Sequence, residues 1–167
     1  IKKENFTTKI NLIVDDLASF NKICNSVDSN KSFQIVDNIN IFNWNDENLC
    51  YNEFSKNDGE KLSVILEVFQ CGRPLWMEKI LFEDKLQRTV QIIMIDYLTA
   101  EKYAEDFHCL QSLTRSSKVQ KVNFMPGFTN KTGGLIIDSE WEQLCDYKNN
   151  KTLLCFTYDR NWDALAN

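Results

Sequence analysis

The alternation of apolar and polar side chains predicts a chain made mostly of short strands. Residues 15–27 are an exception, because their apolar side chains recur at helical spacing after an acidic start. From Phe33 the period changes to two, as in a strand. We interpret as further strands the segments KLSVILEVFQC (61–71), LWMEKILF (75–82), RTVQIIMIDYL (88–98), FHCLQSLT (107–114) and KVQKVNFM (118–125). A short helix is predicted over 138–147, and a strand or extended tail over 151–159.

This spacing predicts an all-β fold with short helices. Strands that follow one another through hairpin-length turns, such as NDGE (57–60) and GRP (72–74), favour an antiparallel barrel or sandwich over alternating βα units. Several strands are apolar on both faces, which favours a barrel of about eight strands with an occupied interior and a helix on its wall. The length of 167 residues and 43% hydrophobic content fit one domain over residues 1–167.

Cysteines and glycosylation motifs together favour an extracellular location. The six cysteines are spread along the chain and form no C-x-x-C pair, which favours three disulfides: they are Cys24, Cys50, Cys71, Cys109, Cys145 and Cys155. Acceptor triplets for N-linked sugars begin at Asn5, Asn30, Asn130 and Asn150. The first residue is Ile1 and not Met, so we expect that a signal peptide has been removed. The chain is therefore predicted to be a secreted, glycosylated protein.

Charge and motif content exclude several classes of function. The net charge of −5 argues against a nucleic-acid partner, and no apolar run reaches the roughly 20 residues of a membrane span. The one histidine, His108, lies beside Cys109, but neighbours on a strand point to opposite faces and cannot form a nucleophile–base pair locally. No familiar catalytic, metal-binding or cofactor-binding motif is present. We therefore expect no enzyme, no metal and no cofactor.

Carboxylates in phase with apolar residues are the candidate binding groups. Asp37, Glu67 and Asp96 each share a predicted strand face with apolar side chains, where a buried charge is costly unless it is paired. A bulge or a mixed outer face would explain them without function. A cavity in which they hold the polar end of a ligand is the alternative. The predicted ligand-binding residues are Asp37, Phe42, Glu67, Phe69, Trp76, Met94, Asp96 and Phe124, with Trp44 and Tyr97 as further aromatic walls.

The order of these parts resembles the salivary lipocalins of ticks. The likeness covers roughly residues 15–155: a helix lies before the first strand, Cys50 follows that strand, and Cys109 falls late in the barrel. A C-terminal helix with Cys145 and Cys155 follows, and the G-x-W motif of ordinary lipocalins is missing, as is usual in the tick group. By this layout Cys50 pairs with Cys155 and Cys109 with Cys145, which leaves Cys24 for Cys71.

The resemblance implies a lipocalin barrel that carries or scavenges a small hydrophobic or amine ligand and modulates host immune or haemostatic responses. Sterols, fatty acids, eicosanoids and biogenic amines are the implied ligands, and a host immune-cell or plasma protein is an implied partner. The immunomodulatory, Japanin-like branch is the nearest fit within the family. Two alternatives stay open: a secreted immune decoy that binds a host cytokine, chemokine or receptor through its surface, and a secreted hydrolase with a dispersed active site.

Overall fold

The computed structural model of the protein describes residues 9–56, 64–84 and 86–137. Contacts divide the chain into two compact units, Ile1–Leu135 and Ile136–Asn167. All the helices and strands given below belong to the first unit. The predicted helix over 138–147 and the predicted strand or tail over 151–159 lie outside the described residues.

Strands and helices alternate along most of the described chain. The strands are β1 (Ile10–Val14), β2 (Phe33–Val36), β3 (Ile39–Asn43), β4 (Val64–Val68), β5 (Val90–Ile95), β6 (Gln111–Ser112) and β7 (Val119–Phe124). The helices are α1 (Leu17–Ile23), α2 (Glu47–Phe54), α3 (Leu75–Phe82) and α4 (Tyr103–Phe107). The predicted amphipathic segment over 15–27 thus contains α1, which begins where the Asp16 carboxylate accepts a hydrogen bond from the Ser19 N–H at 3.0 Å.

The strands form two open, mixed sheets, so the prediction of a closed antiparallel barrel is wrong. One sheet has the order β1-β3-β2, with β1 parallel to β3 and β2 antiparallel to it. The other has the order β4-β5-β7-β6, in which β4, β5 and β7 are parallel and only the short β6 is antiparallel. Strands that are apolar on both faces are typical of parallel sheets as well as of filled barrels, and here the parallel arrangement is adopted.

Helix α3 accounts for much of this error. The segment LWMEKILF was interpreted as a strand, but its buried residues Trp76, Met77, Ile80 and Leu81 fall at the i, i+1, i+4, i+5 spacing of one helix face. Leu75, on the other side of the helix, is 79% exposed. Because α3 lies between the parallel neighbours β4 and β5, these three elements form a βαβ unit.

The main hydrophobic core packs α2 and α3 against the parallel strands. Its buried residues are Phe42, Cys50, Phe54, Trp76, Met77, Ile80, Leu81, Val90, Ile92 and Val119. The Phe54 ring lies between Phe42, at 5.0 Å, and Trp76, at 5.7 Å between ring centroids. Arg88 donates to the carbonyls of Phe54 and Lys56 and so satisfies the C-terminal end of α2. Phe42 and Trp76 are therefore core residues and not the cavity walls that were predicted.

Two of the three carboxylates have a structural explanation, although Glu67 does lie on the predicted strand face. Asp37 is exposed and forms, with Asn38, the tight turn between β2 and β3, where both residues have positive φ angles of 49° and 61°. Glu67 is buried on β4, but its carboxylate pairs with the Arg73 guanidinium at 3.1 Å. Neither is a ligand-binding group of a barrel interior: Asp37 is explained by the turn and Glu67 by its ion pair.

Four of the six cysteines are described, and all four are free thiols: Cys24, Cys50, Cys71 and Cys109. The disulfide predicted between Cys24 and Cys71 is therefore not present in the structure. Cys145 and Cys155 lie outside the described residues. The Cys50 thiol is buried and donates to the Asn43 carbonyl at 3.3 Å, and burial raises its pKa to about 11.

Removal of the Arg73 side chain should destabilise the fold by about 3 kcal/mol, because it would leave the buried Glu67 carboxylate without its partner. Glu67→Leu in the Arg73→Ala background should recover most of that loss, since the unpaired charge is then gone. Urea unfolding measures both effects. Lys56→Ala is the matched control: it breaks the exposed Lys56–Glu53 pair and should cost less than about 1 kcal/mol. Equal costs for Arg73→Ala and Lys56→Ala would contradict the structural role of the buried pair.

The native thiols should differ in their reactivity toward a thiol reagent at about pH 8. Cys71 and Cys109 are exposed and should react quickly, whereas Cys50 should react only on unfolding, because its raised pKa and burial leave it almost no reactive thiolate. Peptide mapping after labelling identifies the modified residues. A chain that shows no reactive thiol even in denaturant would instead support the three predicted disulfides.

Candidate functional site

A cleft of about 620 Å³ opens at the carboxyl ends of the parallel strands β4, β5 and β7. Its described lining residues are Phe69, Gln70, Met94, Asp96, Tyr97, Tyr103, Phe107, Ser112, Asn123 and Met125. Open α/β sheets commonly bind ligands at this edge, because the loops that follow parallel strands all emerge there. The position of the cleft therefore follows from the parallel pairing of the sheet.

Asp96 is the only charged residue among the described residues that line the cleft. It follows directly after β5, and its carboxylate is held by two hydrogen bonds. One oxygen accepts from the Tyr97 backbone N–H at 2.8 Å, and the other accepts from the Gln70 side-chain amide at 2.8 Å. Because each carboxylate oxygen has a second lone pair, the group remains able to accept hydrogen bonds from a ligand.

Two aromatic rings stack beside this carboxylate. Phe69, after β4, and Tyr97, after β5, have ring centroids 4.3 Å apart and planes within 7° of parallel. Phe69 and Gln70 both have left-handed backbone conformations, with φ of 56° and 52°, which are unusual for residues with a side chain. The same two residues supply a stacking ring and the amide that holds Asp96, so this costly turn shapes the cleft.

The opposite wall of the cleft comes from α4 and the end of β7. Tyr103 and Phe107 of α4 pack edge to face with ring centroids 6.1 Å apart, and both are about half exposed. Asn123 and Met125 line the cleft from β7 and the residue that follows it. The cleft thus combines aromatic faces, neutral amides and one fixed carboxylate.

The structure brings together some of the predicted ligand-binding residues. Phe69, Met94 and Asp96 line the cleft, and so does Tyr97, which was named as an aromatic wall. Phe42 and Trp76 lie in the core, where the Trp76 indole donates to the Trp44 carbonyl at 3.3 Å. Phe124 packs against the His108 ring with centroids 5.4 Å apart. Asp37 and Glu67 are placed elsewhere by the turn and the ion pair described above.

Several lining residues were missed by the interpretation of the sequence. Gln70, Tyr103, Phe107, Ser112, Asn123 and Met125 were not assigned to any site. Most of them lie at or near the end of a strand. Their position could have indicated a site only if the sheet had been predicted to be parallel. Tyr103 and Phe107 are four residues apart on a helix that was not predicted, so their common face was not apparent.

The features that suggested secretion are only partly within the described residues. Asn30 and Asn130 are exposed, whereas Asn5 and Asn150 lie outside the described part of the chain. Glycosylation at these positions and an extracellular location stay predictions. Among the described residues, the structure has no helix of the length and apolar character that a membrane crossing requires. The same residues contain no group of three or more potential metal ligands.

Comparison with known proteins overturns the lipocalin interpretation. The family described as Elongation-Factor P (EF-P) rhamnosyltransferase EarP matches residues 2–160. A protein-arginine rhamnosyltransferase of Pseudomonas putida is 28% identical over 130 residues, which are 76% of this chain and 31% of that protein. A protein of the same name from Shewanella oneidensis is 29% identical over 132 residues, which are 77% of this chain and 31% of that protein.

These matches correct the functional expectations as well. The relatives are named as enzymes, so a non-enzymatic carrier of a small hydrophobic or amine ligand, an immune decoy and a host protein partner are all wrong. The chain spans about a third of the length of the curated relatives it matches. Because the family match covers nearly the whole chain, the protein belongs to the EarP family of EF-P rhamnosyltransferases.

Proposed function

We propose that this chain forms the part of a protein-arginine rhamnosyltransferase that receives the acceptor arginine. The names of the relatives supply the reaction class: a rhamnosyl group is transferred to an arginine of a protein, for which the family description gives elongation factor P. The cleft at the carboxyl ends of β4, β5 and β7 is where we expect the arginine side chain to bind.

The observation that carries this proposal is the fixed Asp96 carboxylate beside the stacked rings of Phe69 and Tyr97. A guanidinium is planar and always charged, so it is matched by a carboxylate in its plane and by aromatic rings against its face. Cation–π contact adds to the attraction where water is partly excluded. The cleft offers both kinds of contact within one small region.

The charge of the cleft favours an arginine over the activated sugar donor. Rhamnosyl transfer needs a donor with a good leaving group, such as a nucleotide-linked rhamnose, whose phosphates would call for Lys, Arg, a metal ion or a helix N-terminus. The described lining contains one acid and no Lys or Arg. We therefore assign the acceptor to this cleft and expect the phosphates of the donor to bind to other parts of the longer enzyme.

Rhamnosyl transfer requires the site to orient one guanidine nitrogen of the arginine. A guanidine nitrogen of arginine forms a bond to the anomeric carbon of rhamnose, and the bond from that carbon to the leaving group breaks with its electron pair going to the leaving group. One proton passes from the guanidinium to a base. Arginine holds its proton tightly, because the pKa of its guanidinium lies far above neutral pH, so the nitrogen must be oriented as well as deprotonated. Hydrogen bonds that the guanidinium donates to the Asp96 carboxylate would fix the nitrogen that faces the sugar.

Asp96→Asn should weaken the binding of a short peptide with a single arginine by about ten-fold or more, since a hydrogen bond to a charged group contributes about 1.5–3 kcal/mol. Isothermal titration calorimetry with the whole chain measures the affinity. Asp106→Asn is the matched control, because Asp106 is exposed on α4 and is not a lining residue, and it should bind like the wild type. A peptide in which lysine replaces arginine should bind more weakly than the arginine peptide, because an ammonium lacks the planar fork.

Two results would count against the acceptor assignment. One is equal affinity of the arginine peptide for the wild type and Asp96→Asn. The other is binding of a nucleoside diphosphate that Asp96→Asn strengthens, since loss of a negative charge would favour phosphates and would indicate a donor site.

A further inference from the structure

The segment after α4 is joined to the end of β7 by three hydrogen bonds. The Cys109 N–H donates to the Asn123 carbonyl at 2.9 Å, and the Asn123 N–H donates to the Leu110 carbonyl at 3.0 Å. The third bond involves a side chain, because the Met125 N–H donates to Nδ1 of His108 at 3.2 Å. These bonds connect the two elements that form one wall of the cleft.

The hydrogen bond from Met125 requires one particular form of the His108 imidazole. A backbone N–H can only donate, so Nδ1 must be the acceptor and carry no hydrogen. In that form the imidazole is neutral, with its hydrogen on Nε2. Its ring also packs edge to face on Phe124, with centroids 5.4 Å apart, and its backbone N–H donates to the Ala104 carbonyl at the end of α4.

We propose that neutral His108 is a positioning residue for the arginine cleft, because it holds Met125 of one wall to the end of the helix that supplies Tyr103 and Phe107. This inference rests on the proposed function for its ligand. A second proton on the imidazole would turn Nδ1 into a donor, and two donors cannot share a hydrogen bond. The link between Met125 and the end of α4 would then break as the pH falls, while the two backbone hydrogen bonds of Asn123 would remain.

The titratable and charged groups near His108 lie on α4, after β7 and after β5. Phe124 and the Met125 N–H, which contact its ring, are uncharged. On α4 the nearby acids are Glu105 and Asp106, and Glu105 pairs with Lys131 of the segment after β7 at 3.5 Å. Asp96 lines the same cleft after β5.

Nuclear magnetic resonance of the imidazole nitrogens tests the structural half of the proposal without any ligand. The sequence has a single histidine, so the imidazole signals of the whole chain belong to His108. At about pH 8 we expect the neutral form with the hydrogen on Nε2, and the Met125 amide should shift as the pH is lowered to about 5.5. A hydrogen on Nδ1, or a Met125 amide that does not follow the imidazole titration, would overturn the proposal.

Two substitutions test the positioning role through arginine-peptide binding. His108→Asn keeps a side-chain oxygen near the position of Nδ1, so binding should resemble the wild type at about pH 8 but should lose its decline toward pH 5.5. His108→Ala should bind about five-fold more weakly than the wild type at about pH 8, the effect expected for one lost hydrogen bond, and should bind like the wild type at about pH 5.5. An identical pH profile for the wild type and His108→Asn would overturn the proposal.

The outcome also separates this inference from the proposed function. If the wild type does not bind the arginine peptide at either pH while its imidazole titration moves the Met125 amide, the acceptor assignment fails and the structural role of His108 stands. If the peptide binds and Asp96→Asn weakens binding as expected, but the His108 variants behave like the wild type, the positioning role fails and the acceptor assignment stands.

Discussion

The parallel pairing of β4, β5 and β7 is the constraint from which the rest of this structure follows. Parallel strands need a crossover connection, and α3 supplies it between β4 and β5 while burying Trp76, Met77, Ile80 and Leu81 on the strands. Because the strands run the same way, their carboxyl ends meet at one edge. Phe69, Asp96 and Met125, which are far apart in the chain, therefore line the same cleft.

Local backbone strain and hydrogen bonding then give this edge its chemical character. The left-handed conformations of Phe69 and Gln70 turn the chain sharply after β4, so that one residue stacks on Tyr97 and the other holds Asp96. The parallel sheet determines where the cleft lies, and the turn after β4 determines how the Phe69 and Gln70 side chains are oriented in it. His108 plays the corresponding part on the other wall, where it joins the end of α4 to Met125. The proposed acceptor site depends on all three features.

Part of the site could be predicted from the sequence, while the fold could not. Asp96 was identified because a carboxylate in phase with apolar strand residues is energetically conspicuous, and Phe69 was named only as an aromatic ring that could form the cavity wall. The same argument failed at Asp37, which forms a turn, and at Glu67, which Arg73 neutralises across six residues of chain. Strands that are apolar on both faces occur in filled barrels and in parallel sheets. A filled barrel and a parallel sheet could have been distinguished only if α3 had been predicted as a helix. Its apolar run is short enough to fit a strand, so the sequence did not decide between the two.

The most direct test of the acceptor assignment is a nuclear Overhauser measurement on the whole chain with a peptide that contains one arginine. The account predicts contacts between the arginine δ-methylene protons and the ring protons of Phe69 and Tyr97, since the guanidinium would lie against the stacked pair while it binds Asp96. Contacts confined to residues outside the cleft, or contacts that persist unchanged in Asp96→Asn, would contradict it.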